Sequence, residues 1–332
     1  MAPVSEIYRR TSRVLSSMLS VFPRMSAVYT ACLKCISNVS HTYELLQAKG
    51  MAIAKSLPPP FSHMLSDILK AITVVHAALF MASFSLILLY LTTSIVNKIL
   101  KVGARRRYAT IAKEHRRRQR ESIETFKRIQ PFDNESLKAE ILEASVSKIA
   151  EMTSTGKWLV VDVVTVYCHK ASEIHEQLNC LTEVFFTEAI KLAGTLDALP
   201  LSDRKNQPLF GVPVSLKDNV NVGGFPSSCG FISWRNRLAL RNAAAVDMLI
   251  SAGAVPFCKT NVPQTMRSFE CRNPLWGTTD NPHRVGFIPG GSSGGEAALI
   301  AAGGSILGFG NDVAGSLRLP AHCSGVCTLK PS

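Results

Sequence analysis

The segment Pro289–Pro331, PGGSSGGEAALIAAGGSILGFGNDVAGSLRLPAHCSGVCTLKP, limits the folds open to this chain more than any other. It sets two serines, Ser292 and Ser316, in glycine-dense turns on either side of a helix of small residues. Glycine suits such corners because it lets other backbone, or a bound molecule, approach closely. Upstream, in GVPVSLKDN, Lys217 ends the short apolar run Leu209–Leu216, a candidate strand. Two approachable hydroxyls and one lysine that a fold can bury supply a nucleophile, a proton relay and a base.

From about Pro131 onward the pattern is α/β. Residues 135–152 have helical apolar spacing, and 157–172 continue as helix despite their β-branched content. Residues 182–195 predict a strand followed by a helix. A small-residue helix at Ala243–Ala252, an apolar strand at Ala254–Cys258 and the turn TNVPQT follow. Short apolar strands alternating with helices predict a mixed sheet flanked by helices on both faces. No internal repeat is present.

The net charge of +13 raises the question of nucleic acid, but much of the excess sits between Lys98 and Arg128, beside a hydrophobic run. No aromatic-interleaved binding motif accompanies it, so the expected partner is not nucleic acid. Residues 71–97 carry no charged side chain apart from the titratable His76, and about 20 apolar residues cross a bilayer core. Nine cations from Lys98 to Arg118 follow this run, against Lys55 and Lys70 before it, which predicts a single-pass helix with the C-terminal bulk in the cytosol. The nine scattered cysteines read as free thiols in a reducing compartment, and Cys32-x-x-Cys35 lacks a second metal-ligand pair. The first 60 residues, with Arg9, Arg10, Arg13 and Arg24, fit either a mitochondrial presequence or a basic tail. Asn38 and Asn134 open glycosylation sequons. The expected organisation is a basic serine-rich segment at 1–70, a transmembrane helix at 71–97, a basic juxtamembrane segment at 98–130 and an α/β domain at 131–332.

Commoner motifs fail in the glycine-rich region. A phosphate-binding loop needs Gly-Lys-Ser/Thr where Gly294-Gly295-Glu296 stands, and the dinucleotide fingerprint breaks at Val313. Gly290–Gly294 satisfies G-x-S-x-G, but no strand precedes it and His322 is the only downstream histidine of the segment, so a Ser-His-Asp triad is disfavoured. With both serines active, the backbone N–H groups of Val313, Ala314, Gly315 and Ser316 are candidates for an oxyanion nest.

The GGSSGGE…D-x-[AG]-G-S pattern with its upstream lysine resembles the amidase signature family. Within that family the match is nearest to the membrane-anchored fatty acid amide hydrolases, through FCKTNVPQTMRSFECRNPLWGTTDNP at Phe257–Pro282 and the hydrophobic helix. The likeness is strong over Pro200–Ser332 and weak over the preceding 70 residues. It implies Ser316 as nucleophile, Ser292 as bridging serine and Lys217 as base, with no metal or organic cofactor. Val313, Ala314, Gly315, Ser293 and Met266 take the oxyanion and substrate-binding positions. A lipid amide as substrate, a membrane partner, a homodimer and an endomembrane location follow from the same likeness, with a mitochondrial location as the alternative.

Several departures bear on those expectations. Asn311 replaces a more usual threonine, and Arg267 follows Met266 where lipid amidases carry an aromatic. Ala314 replaces a usual glycine, which costs on the order of 1 kcal/mol if the position needs positive φ. Asp218 is expected to point away from Lys217, Ser293 to bond locally, and Asp312 with Arg318 to anchor a loop. The sequence ends at LKPS, where the family's domain has about half its fold to come, which predicts a fragment or short isoform with exposed apolar faces. An amidase of small or aromatic amides, and a catalytically silent membrane partner, are the alternative functions. Amidotransferase subunits are a further branch, but they are soluble and have no use for residues 71–97.

Overall fold

The computed structural model describes Lys34, His41 and residues 44–331. The N-terminal arginines, the Cys32–Cys35 pair and the Asn38 sequon lie outside the described residues. The chain divides after Ile99 into two compact units.

In the first unit, residues 44–56 are helical and are followed by the start of a long helix, α1 (Pro59–Ile129). Gln47 donates to Thr73 Oγ1 at 2.8 Å. The expected apolar helix at 71–97 lies within α1, which begins earlier, on a proline suited to a first turn. None of its most apolar 18-residue window is buried.

The second unit starts at Leu100. Here the basic block is more than a solvated flank. Ala112, Gln119, Ile123 and Phe126 recur at helical spacing and are buried. Arg116 donates to Leu275 O at 2.7 Å, and Gln119 to Leu181 O at 3.2 Å. The outward cations are partly paired along the helix, Glu114 with Arg117 and Arg118.

The expected helix at 135–152 is two helices, α2 (Glu135–Glu143) and α3 (Val146–Ser154). Asn134 and Ser145 each cap a new start by accepting an N–H three residues on, from Leu137 and Lys148. Helix α4 (Val160–Leu178) buries most of its surface despite its valines. Asp197 caps its first turn from outside, accepting the N–H groups of Val160 and Val161 at 2.8 and 3.0 Å. Asp197 itself ends α5 (Phe186–Asp197), so one carboxylate ties two helices together.

The central sheet contains β1 (Leu181–Val184), β2 (Pro213–Lys217), β3 (Val255–Thr260) and β6 (Leu307–Phe309), in the order β1-β3-β2-β6. β1 runs antiparallel to β3, whereas β3, β2 and β6 are mutually parallel. A small ribbon pairs β4 (Arg272–Asn273) with β5 (Gly277–Thr278). Every residue of β2 and β3 is buried, as expected of parallel strands covered on both faces. Helices α6 (Ala244–Ser251), α7 (Gly294–Ala301) and α8 (Arg318–Ser324) also belong to this unit, with a single helical turn at Leu201–Arg204. The parallel strands bring Lys217, Thr260 and the segment after Phe309 to one sheet edge, their carboxyl ends, where open α/β sheets bind ligands.

Candidate active site

Alternation along β2 places Ser215 and Lys217 on one face and Val214 and Leu216 on the other. The apolar face joins the main core with α4. The polar face meets α7 and the turn before it: Ser215 Oγ donates to Glu296, and Lys217 Nζ lies 2.8 Å from Ser292 Oγ. Helix α7 fits this close because its first turn is glycine. A Cβ on Gly295 would stand 2.3 Å from Asn261 N, and Gly295 N–H instead donates to Asn261 O at 3.0 Å.

Lys217 is fully buried, yet all its polar needs are met. Besides Ser292 it reaches Asn311 Oδ1 at 2.7 Å and Asn311 O at 3.3 Å. Burial lowers its pKa to about 8, against the opposing pull of Cys271, Glu296 and Asp312. Its sequence neighbour Asp218 points away, accepting from Thr182 Oγ1, Ser228 Oγ and Cys229 N. Behind Lys217, the buried Glu296 takes Ser215 from β2 and Thr260 Oγ1 from β3, and burial pushes its carboxyl up to about 7.

Ser292 is buried, and the Gly291–Ser292 peptide is cis. Ser316 is half-buried on the neighbouring loop, which docks through Ser293 N–H to Ser316 O at 3.1 Å. Ser316 Oγ makes no hydrogen bond among the described residues. The structure therefore joins Lys217 to Ser292 and sets Ser316 alongside, with the link between the two serine hydroxyls unmade. Ser293 does not bond only locally, since its Oγ reaches Asn311 O, 18 residues on, at 3.5 Å.

The expected four-donor nest is corrected at one position. Gly315 N–H donates to Asp312 Oδ1 at 2.6 Å and so is engaged; Leu317 N–H goes to Asp312 Oδ2. The N–H groups of Val313, Ala314 and Ser316 have no acceptor among the described residues. Arg318 closes on Asp312 at 2.9 Å, so this pair anchors the loop, and Asp312 is held far below the usual carboxylate range by Arg318 and the loop N–H groups. Positive φ falls on Gly315 at 109° and not on Ala314, so alanine at 314 carries no backbone strain. Met266 is half-buried with φ of 56°, and Arg267 beside it is exposed. His322 is exposed on α8. The seven described cysteines are free.

Sequence reasoning assigned no site role to Glu296, Ser215, Thr260 or Asn311. One signal was available for Glu296, a lone acid among the small apolar residues of α7.

A buried lysine on a strand end, a serine on a glycine corner and a second serine on an adjoining loop together define an amidase-signature α/β scaffold. Residues 162–332 match the amidase family, and the chain belongs to it. It is 45% identical over 171 residues to Amidase 1 of Gibberella moniliformis, covering 51% of this chain and 33% of that protein. Against Fatty acid amide hydrolase 1 of Caenorhabditis elegans it is 38% identical over 238 residues, covering 70% and 39%. A solved fatty acid amide hydrolase superposes with a TM-score of 0.54 at 28% identity, covering 64% of this chain and 37% of that one. The chain thus spans about two fifths or less of the length of these relatives.

Proposed function

We propose that this protein is a serine amidohydrolase anchored in a membrane, in which Ser316 is the nucleophile, Ser292 the relay and Lys217 the base. The observation that carries this reading is the 2.8 Å contact between Lys217 Nζ and Ser292 Oγ, made by a lysine whose burial lowers its pKa to about 8. A neutral amine there takes the proton of Ser292 as Ser292 takes that of Ser316, and Ser316 Oγ forms a bond to the amide carbonyl carbon. Reversal of the same two transfers protonates the leaving nitrogen, the step that an amide needs most, and water then releases the acyl group. The unengaged N–H groups of Val313, Ala314 and Ser316 are the donors available for the developing oxyanion. The hydrogen bond between the serines forms with substrate bound, as catalytic contacts often tighten only in the complex.

Fatty acid amides are the substrate class we favour. Support comes from the long helix with its unburied apolar window, which suits a bilayer, and from similarity to fatty acid amide hydrolases. The positive flank supports a cytosolic α/β unit. Small amides are the second reading, favoured by the exposed charge of Arg267 beside Met266 and by the higher identity to Amidase 1. Competition between a long-chain primary amide and its two-carbon counterpart decides between them. Preference for the long chain supports the lipid reading, and equal or better turnover of the short one removes it.

A further inference from the structure

Asn311 lies two residues beyond β6 and meets Lys217 through two atoms, its side-chain Oδ1 at 2.7 Å and its backbone O at 3.3 Å. A protonated lysine has three N–H donors and no lone pair; a neutral one has two donors and one lone pair. Lys217 has three acceptors around it, two from Asn311 and one from Ser292. Both Asn311 atoms are carbonyl oxygens and only accept. In the neutral amine the two N–H bonds are therefore committed to Asn311, and the lone pair is left facing Ser292 Oγ.

We infer that Asn311 is a positioning residue that aims the Lys217 lone pair at Ser292. This rests on the amidohydrolase reading of the site. When the Ser292 Oγ–H bond breaks, its proton adds to the lone pair as the third N–H, and that N–H then donates back to the Ser292 oxygen. Every donor is satisfied before and after, so the proton moves without rotation of the lysine. A threonine hydroxyl at 311 could turn its hydrogen toward the amine and would not dictate the direction. Asparagine's Oδ1, placed 2.7 Å from Nζ, carries no hydrogen and only accepts.

Two carbonyl oxygens aimed at Nζ also favour its charged form and so work against the burial that lowers its pKa. The titratable groups facing the amine are Glu296 from α7, Asp312 from the loop after β6, and the thiols of Cys271 and Cys229. The variants below leave all four in place.

The test uses the full chain in detergent micelles, native and with Asn311→Leu or Asn311→Asp. The Lys217 side chain is followed by carbon-13 lysine NMR, its signal identified by its loss in Lys217→Ala, beside the pH profile of amide hydrolysis. Asn311→Leu should move the Lys217 midpoint and the acid limb of kcat to lower pH, with kcat reduced roughly tenfold and KM little changed. Asn311→Asp, of nearly the same shape, should move both to higher pH. A role confined to folding would lower the amount of active protein and leave the midpoint alone. Unchanged midpoints in both variants overturn the inference. If the native chain hydrolyses no amide, the amidohydrolase reading fails while the NMR midpoints still decide the role of Asn311.

Discussion

The proposed mechanism turns on one side chain, that of Lys217. In that mechanism its neutral form is the base, and burial lowers its pKa to about 8, so amide turnover should rise as pH rises through about 8. A pH–rate profile that is flat between pH 7 and 9 would contradict that assignment. Lys217→Ala should lower amide turnover by roughly 100-fold or more, and ester turnover less, because an alkoxide leaves with little help from an acid. Parallel losses for matched amide and ester would count against a proton relay. Burial disfavours the charged lysine, so folding is opposed at neutral pH and the opposition fades as pH rises from about 8 toward the unfolded value. Lys217→Met should consequently leave the thermal midpoint at pH 7 unchanged or raise it while removing activity. Lys217, Ser292 and Ser316 could be singled out in the sequence as candidates because glycine corners and a lysine ending an apolar run are local signals. The roles of Glu296 and Asn311 were not legible. Glu296 is defined by Ser215 and Thr260 on two strands, and Asn311 by a lysine 94 residues away.

At the scale of elements, two contacts fix how helix starts meet their neighbours. A methyl on Gly295 would meet Asn261 backbone, which cannot move aside without disturbing β3 and the start of α7. Gly295→Ala should cost about 1–3 kcal/mol, seen as a lower thermal midpoint, with loss of activity as Ser292 is displaced. Asp197→Ala removes the cap of α4 and should cost about 1–2 kcal/mol without shifting the pH profile. A variant as stable as the native chain in either case would contradict the packing described. Most elements were readable from apolar period and turn chemistry, including the strand ending at Lys217 and the β-branched helix α4. The break at Ala144–Ser145 was not, because apolar spacing continues through it while Ser145 caps a new helix. Burial of the inner face of the basic block was also hidden. Charge dominates its composition, and Ala112, Gln119, Ile123 and Phe126 are too widely spaced to stand out.

Across the whole molecule, a long helix with an unburied apolar window and an α/β unit carrying a buried lysine–serine contact are joined in one chain. The proposed topology predicts glycan attachment at the Asn38 sequon and none at the Asn134 sequon when the chain is expressed with endoplasmic reticulum membranes. Modification of Asn134 would reverse the orientation. The account depends most on Ser316 being an activated nucleophile, and a fluorophosphonate probe tests this directly on the 332-residue chain. The expected result is a single label on Ser316, abolished in Ser316→Ala and slowed in Ser292→Ala and Lys217→Ala. A label that persists in Ser316→Ala, or a folded native chain that takes none, would contradict it.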